Sequence, residues 1–324
     1  MRERAVTIAM VLALCAAASA QTTACCPEKT EQKREMLWGK LEASLTDVEK
    51  QFDGVLGVAV VDLTDGKTFL LHGDEVFPQA SSIKIAILAE LYHQEQQSRD
   101  GAKGKARLGD VYTVRKEDLV ADSDIMLGLT PGVTRLTNRD LATMMIAVSD
   151  NAAANVLIER VGMENVNAML SGLGLKYTRL RRKMMDLDAA RAGRENVATP
   201  REMMTLLEAI YRHRLFSQEL TDDFVNMLAT GWSQNSRRSA LLRGLPAGVR
   251  AAEKPGELEG VRADSGYVFA SNRPYVLCVM TTYVKHERAA EEVISRIAGL
   301  TYSYFDLVGR ASDYGRVISP RNAK

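Results

Sequence analysis

The order of strand-like and helix-like segments restricts the fold of this chain more than any other feature of its sequence. Two β-rich runs, at 55–62 and 67–72, flank the turn signal Thr64-Asp65-Gly66 and predict a hairpin. Strand-like runs return only near the other end of the chain, at 248–254, 261–270 and 274–284. We therefore predict an α+β fold, in which an antiparallel sheet is flanked by N- and C-terminal helices and carries an inserted all-α subdomain at about 81–230.

Helical patterns fill the rest of the chain. Apolar periodicity predicts an amphipathic helix from about 29 to 52 and a final helix from about 287 to 308. Further helices are predicted at 81–97, 141–148, 151–161, 163–171, 201–213 and 217–229. Thr137, followed by Asp140, is a helix-start signal for the second of these. The segment 178–198 has no clear period, and a loop of that length in a compact domain tends to be functional.

Composition places the chain among folded globular proteins. Of its 324 residues, 46% are hydrophobic and 26% are charged, with a formal net charge of +1. A charge so close to zero argues against a dedicated nucleic-acid binder. No membrane span is predicted after the first twenty residues, because no apolar run there reaches eighteen residues. The scattered histidines and cysteines show no ligand spacing, so we expect neither a metal nor an organic cofactor.

The N-terminus has the three parts of a secretory signal in the right order. A mostly positive start, Met1-Arg2-Glu3-Arg4, precedes an apolar run at 5–17, and Ala18-Ser19-Ala20 supplies small residues for cleavage. We therefore predict a signal peptide at 1–20, cleaved near Ala20, and a secreted or periplasmic protein.

The predicted signal peptide sets the remaining boundaries. A mature N-terminal segment at 21–28 precedes one domain at 29–310, and a C-terminal tail occupies 311–324. A lipoprotein anchored at Cys25 is the less favoured alternative, because Thr22 replaces the leucine-like residue usual before such a cysteine.

The first chemical motif is Ser81-Ser82-Ile83-Lys84, at the expected start of the helix at 81–97. Residues three apart share a helix face, so the Lys84 amine can reach the Ser81 hydroxyl. A serine is a poor nucleophile until a base takes its proton, and an amine serves when burial or a second cation lowers its pKa. Alone the motif is weak, since this spacing arises about once by chance in a chain of this length.

A second motif, Ser149-Asp150-Asn151, stands at the junction between two predicted helices. Ser149 is a candidate to relay a proton to a leaving nitrogen, and Asn151 is a candidate to bind a substrate amide. Asp150 is expected to tie down the local backbone. The alternative is an ordinary helix-cap cluster.

A third motif, Lys254-Pro255-Gly256, lies on or beside a predicted strand. The lysine would bring a cation to the first two motifs, and Gly256 would let a substrate approach the strand backbone. The alternative is a plain turn, because Pro-Gly is a common turn dipeptide.

In this order the three motifs resemble the S-x-x-K, S-D-N and K-T-G signature of the penicillin-recognising active-site serine enzymes. The resemblance runs from about Val55 to the final helix and is strongest to the class A β-lactamases. The segments that carry it are 77–80 (FPQA), 114–119 (VRKEDL), 129–132 (LTPG), 149–158 (SDNAAANVLI) and 178–180 (TRL). It implies an α/β domain with an inserted all-α domain, in agreement with the element order.

The resemblance also implies a role for each motif residue. Ser81, Lys84 and Ser149 correspond to the catalytic residues. The residues expected to bind substrate are Asn151, Lys254, Gly256 and Glu257. The oxyanion hole would come from the backbone N–H groups of Ser81 and Glu257.

Two departures from the family pattern bear on activity. The family's omega loop carries a glutamate that activates water to hydrolyse the acyl-enzyme. Counting forward from Thr178 puts Met184 at that position, and counting back from Thr199 puts Lys183 there. Asp186 and Asp188 are candidate substitute bases, although both also fit solvated loop charges.

The second departure is Pro255, which replaces a threonine or serine whose hydroxyl would hold the substrate carboxylate. Lys254 keeps the cation, and Arg262 is a candidate for a second one.

The sequence therefore predicts a monomeric exported β-lactam hydrolase, acting through an acyl-Ser81 intermediate and contributing to antibiotic resistance. Loss of a general base typically costs about 10²–10⁴-fold, so we expect deacylation to be slow. One alternative is a peptidase or esterase acting on a cell-wall D-Ala-D-Ala peptide. Another is a penicilloyl-binding protein without turnover.

Overall fold

The computed structural model describes residues 27–230, 239–312 and 314–318. The predicted signal peptide and Cys25 lie outside the described residues. The helices are α1 (Pro27–Lys50), α2 (Lys84–Arg99), α3 (Asn138–Ala147), α4 (Asn151–Val161), α5 (Met163–Gly172), α6 (Leu187–Arg191), α7 (Pro200–Tyr211), α8 (Gln218–Leu228), α9 (Ala240–Arg243) and α10 (Glu287–Gly309). The strands are β1 (Val55–Asp62), β2 (Thr68–Leu71), β3 (Phe77–Pro78), β4 (Val111–Thr113), β5 (Arg135–Thr137), β6 (Val197–Ala198), β7 (Ala251–Leu258), β8 (Val261–Ala270) and β9 (Arg273–Thr282).

Strands from the two ends of the chain form one five-stranded antiparallel sheet, in the order β2-β1-β9-β8-β7. The predicted hairpin is β1 and β2, and β1 pairs along its whole length with β9, from Val55 opposite Thr282 to Asp62 opposite Tyr275. The predicted α+β fold, with the helical middle inserted between strands of one sheet, is confirmed.

The two faces of the sheet pack against different helices. Side chains alternate between faces along a strand, so Val58 and Val60 of β1 join one core cluster while Ala59 and Val61 join the other. The first cluster includes side chains of α1, α9 and α10, and the second includes those of α2, α4 and α7. Helix α2 is buried on nearly all sides from Lys84 to Tyr92, as its continuous apolar sequence predicts.

Three differences between the predicted elements and the structure bear on the site. Ser81 lies in a 3₁₀ turn, Ala80–Ile83, and α2 begins only at Lys84. Ala80, the first residue of that turn, has the left-handed backbone angle φ 46°. The strand predicted at 248–254 is β7, which begins at Ala251 and continues through the third motif. The segment 178–198, predicted as a loop, contains the short helix α6.

None of the helices in the described ranges combines the length and the apolar character needed to cross a membrane.

Candidate functional site

The structure brings the first two motifs together around the amine of Lys84. Its Nζ donates to the backbone oxygen of Ser149 at 2.5 Å, to the Ser149 Oγ at 3.1 Å and to the Asn151 Oδ1 at 2.8 Å. Lys84 is fully buried, whereas Ser81, on the turn that leads into α2, is half-buried. A buried amine in contact with Ser149 and Asn151 therefore lies one helical turn from a serine that solvent can reach.

Burial is the main cause of an unusual Lys84. Desolvation, followed by the positive charge of Lys254, holds the pKa of the Lys84 amine well below its usual range, while Asp150 opposes them. At a given pH, an amine with a lowered pKa has a larger neutral fraction than an ordinary lysine. Lys84 can therefore accept a proton, as the general base of a serine nucleophile must.

The backbone is strained at both serine motifs. Ala80, directly before Ser81, has φ 46°, and Ser149 has φ 58°, a left-handed conformation that side chains other than glycine rarely adopt. At Ser149 this conformation directs both the carbonyl oxygen and the hydroxyl at Lys84.

Asp150 holds this strained segment in place. One carboxylate oxygen accepts from the backbone N–H of Ala153 at 3.0 Å and caps α4. The other accepts from the N–H groups of Ile125 and Met126, at 3.0 and 2.9 Å. The prediction that Asp150 ties down the local backbone is confirmed, and this aspartate also caps α4.

The third motif packs directly on the turn that carries Ser81. A Cβ atom added at Gly256 would lie 2.4 Å from the backbone oxygen of Gln79 and 2.8 Å from the nitrogen of Ser82. Only glycine permits this backbone contact between β7 and the turn. The strand edge that continues to Glu257 therefore lies beside the nucleophile.

Lys254 places a second buried amine near the first. Its side chain is 1% exposed, and its Nζ donates to the backbone oxygen of Pro255 at 3.1 Å. Burial lowers the pKa of Lys254 to about 8, opposed by the negative charges of Glu253, Asp264 and Glu257. The Lys254 amine is therefore close to half-protonated in mildly alkaline solution.

Two buried carboxyl groups lie on the opposite face of the sheet from Lys254. Burial, followed by the neighbouring Asp264, raises the pKa of Glu253 well above its usual range. Asp264 accepts a hydrogen bond from the backbone N–H of Leu241, at the start of α9. Both carboxyl groups act on the Lys254 amine and oppose the lowering of its pKa by burial.

Met184, not Lys183, faces inward from the segment that resembles the omega loop. Its side chain is 7% exposed, and the Asn155 amide clamps its backbone, accepting from the Met184 N–H at 2.7 Å and donating to its oxygen at 3.0 Å. Lys183 is more exposed and pairs with Glu159. A thioether therefore occupies the inward position for which the family pattern predicts a carboxylate.

The structure does not bring Asp186 and Asp188 to the amine of Lys84. Asp186 caps α6, accepting from the Ala189 N–H at 3.0 Å, and the Asp188 side chain is 93% exposed and pairs with Arg191. Within the described part of the chain, neither carboxylate contacts Lys84, Ser149 or Asn151.

Arg262, the candidate second cation, is turned away from Lys254. The register pairs Arg262 with Glu257 and Ser265 with Lys254, which puts Arg262 and Lys254 on opposite faces of the sheet. The guanidinium binds Glu287 and Glu291 of α10 and the backbone oxygens of Leu258 and Val261. The expectation of a second cation beside Lys254 is wrong, because α10 supplies the carboxylates that hold Arg262.

Sequence reasoning missed Asn155. It follows Asn151 by four residues on α4, so helical periodicity alone places the two amides on one face. That spacing was the available signal. The Asn155 side chain binds the backbone of Met184, which is distant in sequence, and no local pattern predicts that contact.

No group of three histidine, cysteine, aspartate or glutamate side chains is arranged to hold a metal ion in the described ranges.

Comparison with protein families agrees with the motif pattern. A model described as the beta-lactamase enzyme family matches residues 40–305. The β-lactamase PSE-4 of Pseudomonas aeruginosa is 27% identical over 273 residues, which cover 83% of this chain and 90% of PSE-4.

Solved structures agree with the fold. The β-lactamase of Sphaerobacter thermophilus aligns with a TM-score of 0.71 and 30% identity, covering 83% of this chain and 98% of that protein. A leucine-to-glutamate mutant of PBP-A, solved as an acyl-enzyme complex with penicillin G, aligns with a TM-score of 0.72 and 24% identity, covering 83% and 97% of the two chains.

Proposed function

The chain belongs to the beta-lactamase enzyme family, and from that premise we propose that it is an exported hydrolase that opens β-lactam rings through an acyl-Ser81 intermediate. The observation that carries the proposal is the buried Lys84 amine, bonded to Ser149 and Asn151 one turn from Ser81. Its lowered pKa supplies the base that a serine nucleophile needs.

In the proposed acylation, Lys84 takes one proton from Ser81, and one proton reaches the leaving nitrogen through Ser149. The Lys84 amine takes the proton of the Ser81 hydroxyl, whose oxygen forms a bond to the carbonyl carbon. The backbone N–H groups of Ser81 and Glu257 stabilise the resulting oxyanion. As the ring C–N bond breaks, the Ser149 hydroxyl gives its proton to the leaving nitrogen and regains one from the Lys84 ammonium.

Deacylation is the slow step in this proposal. Attack by water on the acyl-Ser81 ester needs a base, and the Met184 thioether cannot accept a proton. Asp186 and Asp188 are the substitute bases that the loop offers, but Asp188 is largely exposed and Asp186 caps α6. We expect a burst of product followed by an accumulating covalent adduct.

The proposal is tested by following turnover and covalent mass together. Purified protein and a Ser81→Ala control are incubated with a chromogenic cephalosporin and sampled by intact-mass spectrometry. We expect a burst and an adduct in the wild type and neither in the control. Fast steady turnover without a detectable adduct would contradict slow deacylation.

The same experiment separates two other candidates. A cell-wall D-Ala-D-Ala peptidase or esterase is favoured by Pro255, which removes a hydroxyl expected to hold the substrate carboxylate, and it would give neither turnover nor adduct. A penicilloyl-binding protein is favoured by Met184 and would give a stable adduct without turnover.

Export is a separate part of the proposal and rests on residues 1–20 of the sequence. Expression of the full chain in a bacterium with an outer membrane should yield a periplasmic protein beginning at Gln21. A cytoplasmic product that retains Met1 would contradict export, and a lipid-modified N-terminus at Cys25 would favour the lipoprotein alternative.

A further inference from the structure

Glu257 extends the strand edge on which the proposed site is built. Residues two apart on a strand project from the same face, roughly 7 Å from one another, so Glu257 stands one repeat beyond Pro255. Pro255 occupies the place where the family pattern has a hydroxyl for the substrate carboxylate. A carboxylate bound there would therefore lie near the carboxylate of Glu257.

The structure shows Glu257 without an ion-pair partner in the described part of the chain. Its side chain is exposed, and among the described residues no cation lies within ion-pair distance of it. Arg262 stands directly opposite on β8, but it already binds Glu287, Glu291 and two backbone oxygens. The described cation that stands opposite Glu257 is thus bound to the carboxylates of α10.

Lys254 is the only attractive charge that the described site offers to a substrate carboxylate. It is buried behind the strand, where burial lowers its pKa, and the negative charges of Glu253, Asp264 and then Glu257 oppose that shift. One positive and one negative charge within range of the same position largely cancel.

We propose that Glu257 sets the charge preference of this site, so that it accepts acyl donors without a carboxylate beside the scissile bond at least as well as donors that carry one. The favoured substrates are esters and strained amides that are uncharged at that place. The inference rests on the proposed acylation of Ser81 and names the substrate class for that reaction.

A matched pair of acyl donors tests the inference. Penicillin G methyl ester differs from penicillin G by one methyl group, which removes the charge of the carboxyl group, and intact-mass spectrometry gives the rate at which each donor labels Ser81. The acid-to-ester ratio of these rates is compared in the wild type, in Glu257→Gln and in Glu259→Gln, which removes an exposed charge from the β7–β8 turn.

We expect the ratio to rise about 3- to 8-fold in Glu257→Gln, the size of effect given by unit charges roughly 7 Å apart at an effective dielectric constant of about 40 to 80. In Glu259→Gln the ratio should stay near the wild-type value. A ratio unchanged in Glu257→Gln, with both donors labelling Ser81, overturns the inference and leaves the proposed function standing. Failure of both donors to label wild-type Ser81 overturns the proposed function, and the inference with it.

Discussion

At the scale of one residue, the proposed slow deacylation of Ser81 depends on Met184. Its backbone is clamped to α4 by Asn155 and its side chain is buried, so the position is rigid and faces inward. The helix that holds it begins at Asn151, which binds Lys84. A change of chemistry at Met184 therefore requires no rearrangement of the loop backbone.

The first prediction is that Met184→Glu gains hydrolysis. A carboxylate at this position can take a proton from water, and we expect the acyl-Ser81 adduct to decay about 10²–10⁴-fold faster, with little change in the rate at which it forms. The measurement is the decay of adduct mass after excess β-lactam is removed. Met184→Gln, of the same size but without a base, is the control, and equal adduct lifetimes in the two variants would contradict the prediction.

The second prediction concerns the contact between Gly256 and the turn of Ser81. In Gly256→Ala, the new methyl group meets two backbone atoms at 2.4 and 2.8 Å, and backbone cannot move as a side-chain tip can. We expect a loss of about 1–3 kcal/mol in the free energy of unfolding in urea, together with slower acylation.

Gly39→Ala is the matched control for that substitution. Gly39 lies inside α1 with no atom within 4 Å of the added Cβ. This change should stabilise the protein by about 0.5–1 kcal/mol, because alanine favours the helix, and should leave acylation unchanged. A Gly256→Ala protein as stable as the wild type would argue against the close approach of β7.

Among the elements, α7 anchors the start of the segment that carries Met184. The Glu202 carboxylate accepts hydrogen bonds from the N–H groups of Lys176, Tyr177 and Thr178 and from the Thr178 hydroxyl. Four donors converge on one nearly buried side chain. If Glu202 loses its charge, buried N–H groups lose a good acceptor. The free energy of unfolding then falls by more than it would if a surface contact were lost.

The third prediction is that Glu202→Gln lowers the free energy of unfolding by about 1–3 kcal/mol, because the introduced NH₂ group is a donor that faces other donors. Urea denaturation measures the change. The control is Glu208→Gln on the same helix, which removes only a partly exposed pair with Arg212 and should cost less than about 1 kcal/mol. Equal losses in the two variants would contradict the anchoring role.

Local sequence patterns predicted most of the elements but few of the contacts between them. The hairpin and the capping box of Thr137 and Asp140 follow from residues close in sequence, and the structure confirms both. The orientation of Arg262 depends on α10, and the 3₁₀ turn of Ser81 depends on how the chain enters α2. Such features arise when distant segments meet, so the sequence pattern at either position does not contain them.

The motif residues were easier to find than the groups that support them. Ser81, Lys84 and Lys254 are recognisable because the chemistry requires those side chains in that order. Asn155 and Glu202 bind backbone groups, a task that many polar residues perform, so their types carry little information before the partner is known.

On the scale of the whole molecule, the two lysines belong to different parts of the fold. Lys84 lies on α2, in the helical insertion, and Lys254 lies on β7, in the sheet. Each is buried, and the charge of Lys254 is the second-largest cause of the lowered pKa of Lys84. The base strength of Lys84 is therefore set by how the insertion docks on the sheet.

The fourth prediction is a shift in the pH profile of acylation when that coupling is removed. The rate should rise with pH as Lys84 loses its proton, at a pH well below the usual range of a lysine. Removal of the positive charge of Lys254 makes protonation of Lys84 easier and raises the Lys84 pKa, so Lys254→Met should move the rising limb to higher pH. An uncharged donor, penicillin G methyl ester, separates this effect from lost carboxylate binding.

With penicillin G itself, the wild-type rate should also fall as Lys254 deprotonates, near its pKa of about 8. Lys183→Met, which removes an outward-facing lysine paired with Glu159, should leave the rising limb in place. A limb that stays at the wild-type pH in Lys254→Met would mean that burial alone sets the Lys84 pKa.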